Sequence, residues 1–285
     1  MFAGQADGHL IIALPAGAYM YKKILVPVSN ESNINLIVDF ALDFLNPAGE
    51  IMLLYVTTST RLPGSAIEWR KAVNTLSEMY AVSVSMGVNA RYHIRNSWSV
   101  HAGILEEAAT GDYDLVFFAN STYKRMPRRL FGSKIDEVVR KSPVETIVLS
   151  YLPDKPVGYD RILLPTSGYQ HAMKAAKIAE AIAKRQGSEV TVMYVGDPSR
   201  KADAESVLSK VTEDMDAENV RNRSLFRSGP VAETIIDEAR KGYDLLMIGA
   251  TERPLAHEFL LGSTADTIVS NTPCHVLMVK TVRRK

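Results

Sequence analysis

Short apolar runs alternate with segments whose apolar positions recur every three or four residues, and the chain passes through this alternation twice. Residues 24–28 (Ile-Leu-Val-Pro-Val) form a run of the length expected for a buried strand. Ile34, Ile37, Val38, Ala41, Leu42 and Leu45 then fall on one helical stripe. Ser29 and Asn30 supply N-cap chemistry ahead of that helix, and Asn46-Pro47-Ala48-Gly49 supplies its stop. Further strands are predicted over 51–56, 89–95, 114–119 and 144–150. Between them lie helices over about 66–85 and 99–110, and one beginning at Ser133. Strands alternating with helices in this way imply a parallel sheet with helices on both faces.

The cycle restarts after a Pro- and Gly-bearing stretch, Leu152-Pro-Asp-Lys-Pro-Val-Gly158. Arg161-Ile-Leu-Leu-Pro165 repeats Lys23-Ile-Leu-Val-Pro27, and Val190–Val195 repeats Ile51–Val56 down to its Tyr-Val ending. Ala172, Ala175, Ala176, Ala179 and Ala183 form the next helical stripe. Lys241-Gly-Tyr-Asp-Leu245 echoes Gly111-Asp-Tyr-Asp-Leu115, and Thr272-Pro273 echoes Ser142-Pro143. These landmarks divide the chain into an extension (1–19), a first domain (20–151), a linker (152–159) and a second domain (160–285). Residues 1–19 read as lying outside the repeat, with Met20 as a natural start before the first strand.

One further landmark carries chemistry. The apolar run 245–248 ends at Gly249, a polar loop follows, and Gly262-Ser263 opens a helix with Ser263-x-x-Asp266 at capping-box spacing. Gly132, Ser133 and Asp136 repeat this spacing in the first copy, 130 residues earlier (132 to 262). A strand, a loop and a helix entered through Gly-Ser form an anion site, because free N–H groups and the positive helix end face the loop.

Composition narrows the reading. A net charge of +1 gives no reason to expect a nucleic-acid partner. The single cysteine, Cys274, excludes an intrachain disulfide, fits a reducing cytoplasm and sits in an apolar run as a buried packing residue. No run approaches the ~20 apolar residues that span a membrane. The histidines show no ligand pair at short spacing, and no metal site is expected. Ser133 and Ser263 lack a Gly-x-Ser-x-Gly elbow, so capping and phosphate contact account for them better than nucleophilic attack. Thr166-Ser167-Gly168 shares little with the phosphate loop of ATP-splitting ligases, and Trp69 and Trp98 read as packing residues.

Lys-Ile-Leu-Val-Pro at the start, a Tyr-Val strand end, and Asp-Leu-x-x-x-Gly…Gly-Ser…Pro-Cys at the end resemble the universal stress proteins, here with two domains in tandem over residues 21–283. The resemblance implies a Rossmann-like α/β fold of the adenine nucleotide alpha hydrolase type. Each domain would carry a five-stranded parallel sheet, and the two would pair through their last strands as an internal pseudo-dimer. It also implies an ATP loop, Gly-x2-Gly-x9-Gly-Ser/Thr. The second copy reads Gly249-x2-Glu252-x9-Gly262-Ser263, and the first reads Ala119-x2-Thr122-x9-Gly132-Ser133. Glu252 removes the freedom of a glycine and adds a negative charge, with Arg253 beside it. An Asp that holds the nucleoside in the family is Ser29 and Ser167 here. In compensation, Lys124, Arg125, Arg128 and Arg129 place four cations in the first loop.

Ligands of such sheets bind beyond the carboxyl ends of the strands, where strand order switches. The expected nucleotide-binding residues are Pro165, Thr166, Ser167, Val195, Gly249, Thr251, Glu252, Gly262, Ser263 and Thr264 in the second copy. In the first copy they are Ser29, Val56, Gly132 and Ser133. The resemblance implies a non-enzymatic cytoplasmic stress regulator that senses ATP or AMP mainly through domain 2, with Mg2+ only alongside ATP. Domain 1 would serve assembly or a protein partner, a homodimer included. Two other readings stand beside it. One is a nucleotide-free interaction module, acting for example on a transporter. The other is a slow ATP hydrolase relying on Glu252.

Overall fold

The computed structural model describes residues 21–58, 66–121, 133–156, 158–168, 170–250 and 263–282. The first half runs β1 (Tyr21–Val28), α1 (Ile34–Leu42), β2 (Leu45–Thr57), α2 (Ala66–Ser85), β3 (Ala90–Asn96), α3 (Val100–Thr110), β4 (Leu115–Ser121), α4 (Ser133–Lys141) and β5 (Glu145–Tyr151). The second runs β6 (Arg161–Pro165), α5 (Gln170–Gln186), β7 (Glu189–Val195), α6 (Lys201–Ala217), β8 (Asn222–Arg227), α7 (Val231–Ala239), β9 (Leu245–Gly249), α8 (Ser263–Asn271) and β10 (His275–Lys280).

All ten strands form one sheet in the order β3-β2-β1-β4-β5-β10-β9-β6-β7-β8. Pairing is parallel within each half and antiparallel at the centre, where Ser150–Thr146 face Val276–Lys280. The expected pairing through last strands is therefore observed inside one chain. Each central strand is apolar on both sides because helices cover both faces. One core layer joins α1, α2, α5 and α6 to the sheet through Phe40, Leu76, Ile182 and Val211. The opposite layer joins α3, α4, α7 and α8 through Ile104, Val139, Ile235 and Ile268. Cys274 lies in the second layer, and burial pushes its thiol up to about 12.

The Tyr-Asp echo has a structural meaning. Asp114 accepts from the N–H groups of Lys22 (2.7 Å) and Lys23 (3.0 Å), and the Lys23 ammonium lies 4.8 Å from the centre of the Tyr113 ring. In the second half Asp244 accepts from Arg161 N–H (2.8 Å), and the Arg161 guanidinium lies 4.7 Å from the Tyr243 ring centre. Tyr113 and Tyr243 each donate to a buried glutamate, Glu107 (2.8 Å) and Glu238 (3.3 Å). These braces sit at the amino ends of the strands, away from the edge where ligands of such folds bind.

The halves also meet through side chains. Gln186 Nε2 donates to Asp43 Oδ1 at 2.8 Å, and Arg185 Nη1 lies 3.1 Å from the same oxygen. Phe40 packs edge-on against Tyr159 at 4.9 Å. Glu145 accepts from the Tyr21 hydroxyl (2.6 Å) and pairs with Lys174 of the other half (3.0 Å).

Three expectations are corrected. The first helix ends at Leu42, and Leu45 with Asn46–Gly49 opens β2. Tyr21 N–H bonds to Phe44 O, and the register jumps from Tyr21↔Leu45 to Lys23↔Glu50, so the Pro-Gly stretch is an insertion in a strand rather than a helix stop. The N-cap of α1 is Asn33, which accepts from Leu36 N–H at 3.2 Å, and not Ser29-Asn30. Trp69 and Trp98 are 52% and 71% exposed and so are not packing residues. Trp69 falls on the outer flank of α2, and Trp98 lies between β3 and α3 with its ring edge-on to His101.

Candidate functional site

Each half has a cleft where its first strand parts from its fourth, and the cause is legible in the backbone. Residues of a parallel strand address alternate neighbours. Thr166 N–H donates to Met193 O of β7 at 2.8 Å, so the nitrogen of Pro165 faces β9 and has no hydrogen to offer. The β6–β9 register accordingly stops at Ile162↔Leu245 and Leu163↔Leu246, while β6 stays with β7 through Pro165↔Met193. In the first half the β1–β4 register stops at Leu25↔Val116, with Pro27 in the place of Pro165. Both clefts lie at the switch in strand order.

The second cleft is bounded as follows. Thr166 is buried, and its hydroxyl accepts from Gly168 N–H at 3.2 Å, while Ser167 between them is exposed. Gly168 has φ +76°, and a Cβ there would stand 2.9 Å from Val207 of α6. Glycine is needed on both counts. Val195 is partly exposed at the end of β7. Gly249 ends β9, and the next residue, Ala250, donates to Val279 O at 2.7 Å, which keeps that edge tied to β10. Thr264 is exposed in the first turn of α8. The structure thus brings Pro165, Thr166, Ser167, Val195, Gly249 and the start of α8 to one edge of the sheet. Thr251, Glu252, Gly262 and Gly132 lie outside the described residues, as do the side chains of Ser133 and Ser263 and the basic loop 124–129.

The first cleft differs at equivalent positions. Asn30 stands where the second half has Gly168, and its Oδ1 accepts from Tyr55 (3.3 Å) and Thr75 (2.9 Å). Ser29 N–H donates to Ser32 Oγ at 2.9 Å. Val56 is buried where Val195 is partly exposed, and the α3 backbone at Gly103 comes so close that a Cβ would lie 2.6 Å from Val56 Cγ1. The polar groups of this loop are thus bonded within the loop and to β2 and α2.

Two bounding residues, Asn30 and Asp197, fall outside the expected nucleotide-binding set, although Asn30 is expected from the sequence as a helix cap. Asn30 is visible only once the two Pro-x-Ser-x segments are aligned, Pro27-Val-Ser-Asn30 against Pro165-Thr-Ser-Gly168. Asp197 follows β7 and accepts from Ser199 N–H (2.9 Å) and Ser199 Oγ (2.6 Å), which holds its carboxyl below the usual range. Its signal was Asp-Pro-Ser ahead of a helical pattern. Among the described residues no group of three His, Cys, Asp or Glu side chains could hold a metal ion, and no helix is long and apolar enough to cross a membrane.

Comparison with known proteins agrees with this architecture. A universal stress protein of Methanocaldococcus jannaschii is 30% identical over 145 residues, covering 45% of this chain and 85% of that protein. One from Thermus aquaticus is 29% identical over 136 residues, covering 43% and 99%. Among solved structures, a universal stress protein from Archaeoglobus fulgidus matches 93% of this chain and 98% of its own at TM-score 0.69 and 21% identity. The cytoplasmic domain of a prokaryotic cation chloride cotransporter has the same fold, matching 90% and 94% at TM-score 0.62 and 17% identity. The family model for the universal stress proteins matches twice, over residues 20–150 and 158–280, and the chain therefore belongs to that family with two of its domains in tandem.

Proposed function

We propose that the chain is a non-enzymatic stress-response regulator that binds an adenine nucleotide, ATP or AMP, in its second cleft, with Mg2+ entering only with ATP. The observation that carries this is the difference at one repeated position. Gly168 carries no side chain and has φ +76° in the β6–α5 turn, whereas Asn30 at the matching place ties the first turn to Tyr55 and Thr75. Thr166, Ser167 and Val195 would face the nucleoside, and Gly249 and the start of α8 would face the phosphates, where a helix N-terminus favours anions. Glu252, Gly262 and Ser263 complete this reading from the sequence. The buried, lone Cys274 supports a cytoplasmic setting.

The first half serves a protein partner in this reading. Of the seven exposed large hydrophobic residues among those described, all but Val231 belong to α2, β3 and the turn after β3. Trp69, Tyr80 and Val84 share a flank of α2, and Tyr92 of β3 meets Tyr80 edge-on at 5.7 Å. Exposed apolar clusters of this kind mark contact surfaces.

The test is to denature freshly purified protein, chromatograph the released nucleotide, and titrate emptied protein with ATP, AMP and a cyclic dinucleotide by calorimetry. One adenine nucleotide per chain is expected, and Gly262→Asp is expected to abolish binding while leaving the circular dichroism spectrum intact. An empty protein that ignores added nucleotide overturns the proposal and leaves the interaction module standing. Turnover of ATP that Glu252→Ala removes would make it an enzyme.

A further inference from the structure

His275 opens β10, the strand that joins the halves, and is only 2% exposed. Its main-chain N–H donates to Asp244 O at 3.2 Å. Both ring nitrogens are engaged by the connection between the halves: Nδ1 lies 3.1 Å from Leu152 N, and Nε2 lies 3.1 Å from Pro156 O. A backbone N–H can only donate and a carbonyl can only accept. These contacts therefore fix the ring, with Nδ1 bare and accepting and Nε2 carrying the hydrogen and donating. Only neutral imidazole can do both. A proton added at Nδ1 would set one N–H against another across that short contact.

We propose that His275 is a proton-operated clasp, holding residues 152–156 against the seam while the ring is neutral and releasing them when it is protonated. Its charged and titratable surroundings are Asp154 and Lys155 on the connection, Asp244 ahead of β9, Tyr151 at the end of β5 and Cys274 immediately before it in the chain. Burial is the largest influence and lowers the ring below the ordinary 6.5. Lys155 acts in the same direction, and the Pro156 hydrogen bond and Asp244 oppose it. A ring whose folded value is depressed contributes fully above 6.5, and that contribution is lost as pH falls through the folded value. Release leaves the five β5–β10 residue pairs in place, so acidification would free the tether without opening the sheet. The device is one-sided. Glu145, at the matching start of β5, binds Tyr21 and Lys174 instead.

Nuclear magnetic resonance of the full chain tests this directly. The His275 ring nitrogens report the tautomer, and hydrogen exchange of the Leu152 amide, corrected for intrinsic rate, reports the clasp. The expected result is an Nε2–H ring at pH 8, with Leu152 protection falling about tenfold at the midpoint of the His275 titration. His275→Asn is expected to keep the protection at every pH, because a carboxamide accepts and donates without titrating, and His275→Ala to lose it at every pH. An Nδ1–H tautomer at pH 8, or Leu152 protection unchanged through the titration, overturns the proposal. So does an Asn variant that loses protection at the wild-type midpoint. The tautomer measurement needs no variant, so a misfolded substitution does not spoil the test.

Discussion

At the scale of single residues, the chain concentrates its constraints at a few atoms. Gly168 combines a left-handed φ with contact to Val207, so Gly168→Ala is expected to cost about 1–2 kcal/mol in urea unfolding. The same substitution is expected to weaken nucleotide binding in titration. Asp43 illustrates a different constraint. Burial pushes its carboxyl up from 3.8 to about 7, against the pull of Arg185 and Gln186. A carboxyl raised in the fold contributes stability below its unfolded value, and that contribution is lost as pH rises through about 7. Thermal midpoints of the wild type are therefore expected to fall relative to Asp43→Asn as pH is raised from about 4 to about 8. The sequence hides this seam, because nothing local to Asp43 announces a partner 142 positions away at Arg185.

At the scale of elements, what could be read in advance was whatever repeats. Strand and helix order, the Tyr-Val ends and the helix starts at Ser133 and Ser263 follow from periodicity and from two copies confirming each other. The exceptions are places where tertiary contacts override local signals. Asn46-Pro-Ala-Gly carries stop chemistry, yet Phe44 and Leu45 are buried beside Tyr21 and draw the segment into β2. Trp98 has the side chain of a core residue but sits exposed in the turn between β3 and α3. The loop residues that would meet a ligand were legible as a pattern and not as a geometry, since backbone freedom at Gly168 and the bonds of Asn30 depend on neighbouring elements. The repeated glutamate braces tie α3 and α7 to the strands beside them. Tyr113→Phe is expected to lower stability by about 1–2 kcal/mol, and Tyr243→Phe by a similar amount, because its longer bond to Glu238 is joined by one accepted from Arg223 at 2.9 Å, both by urea denaturation.

At the scale of the whole molecule, the ten strands make one continuous sheet, and the layer under α1, α2, α5 and α6 passes without a break from one half to the other. Both tryptophans, Trp69 and Trp98, belong to the first half. If the halves unfold as one unit, tryptophan fluorescence and far-ultraviolet circular dichroism are expected to trace the same denaturation curve. An earlier midpoint by fluorescence would show that the first half melts alone. The antiparallel meeting of β5 and β10 has a further consequence. It turns the two halves head to tail, so the first cleft opens at one pole of the sheet and the second at the other. The molecule is built like a double-ended socket. A body covering the first cleft would lie at the far pole from the second, and so, under the proposed function, a partner held by the first half would not stand between a nucleotide and the second cleft.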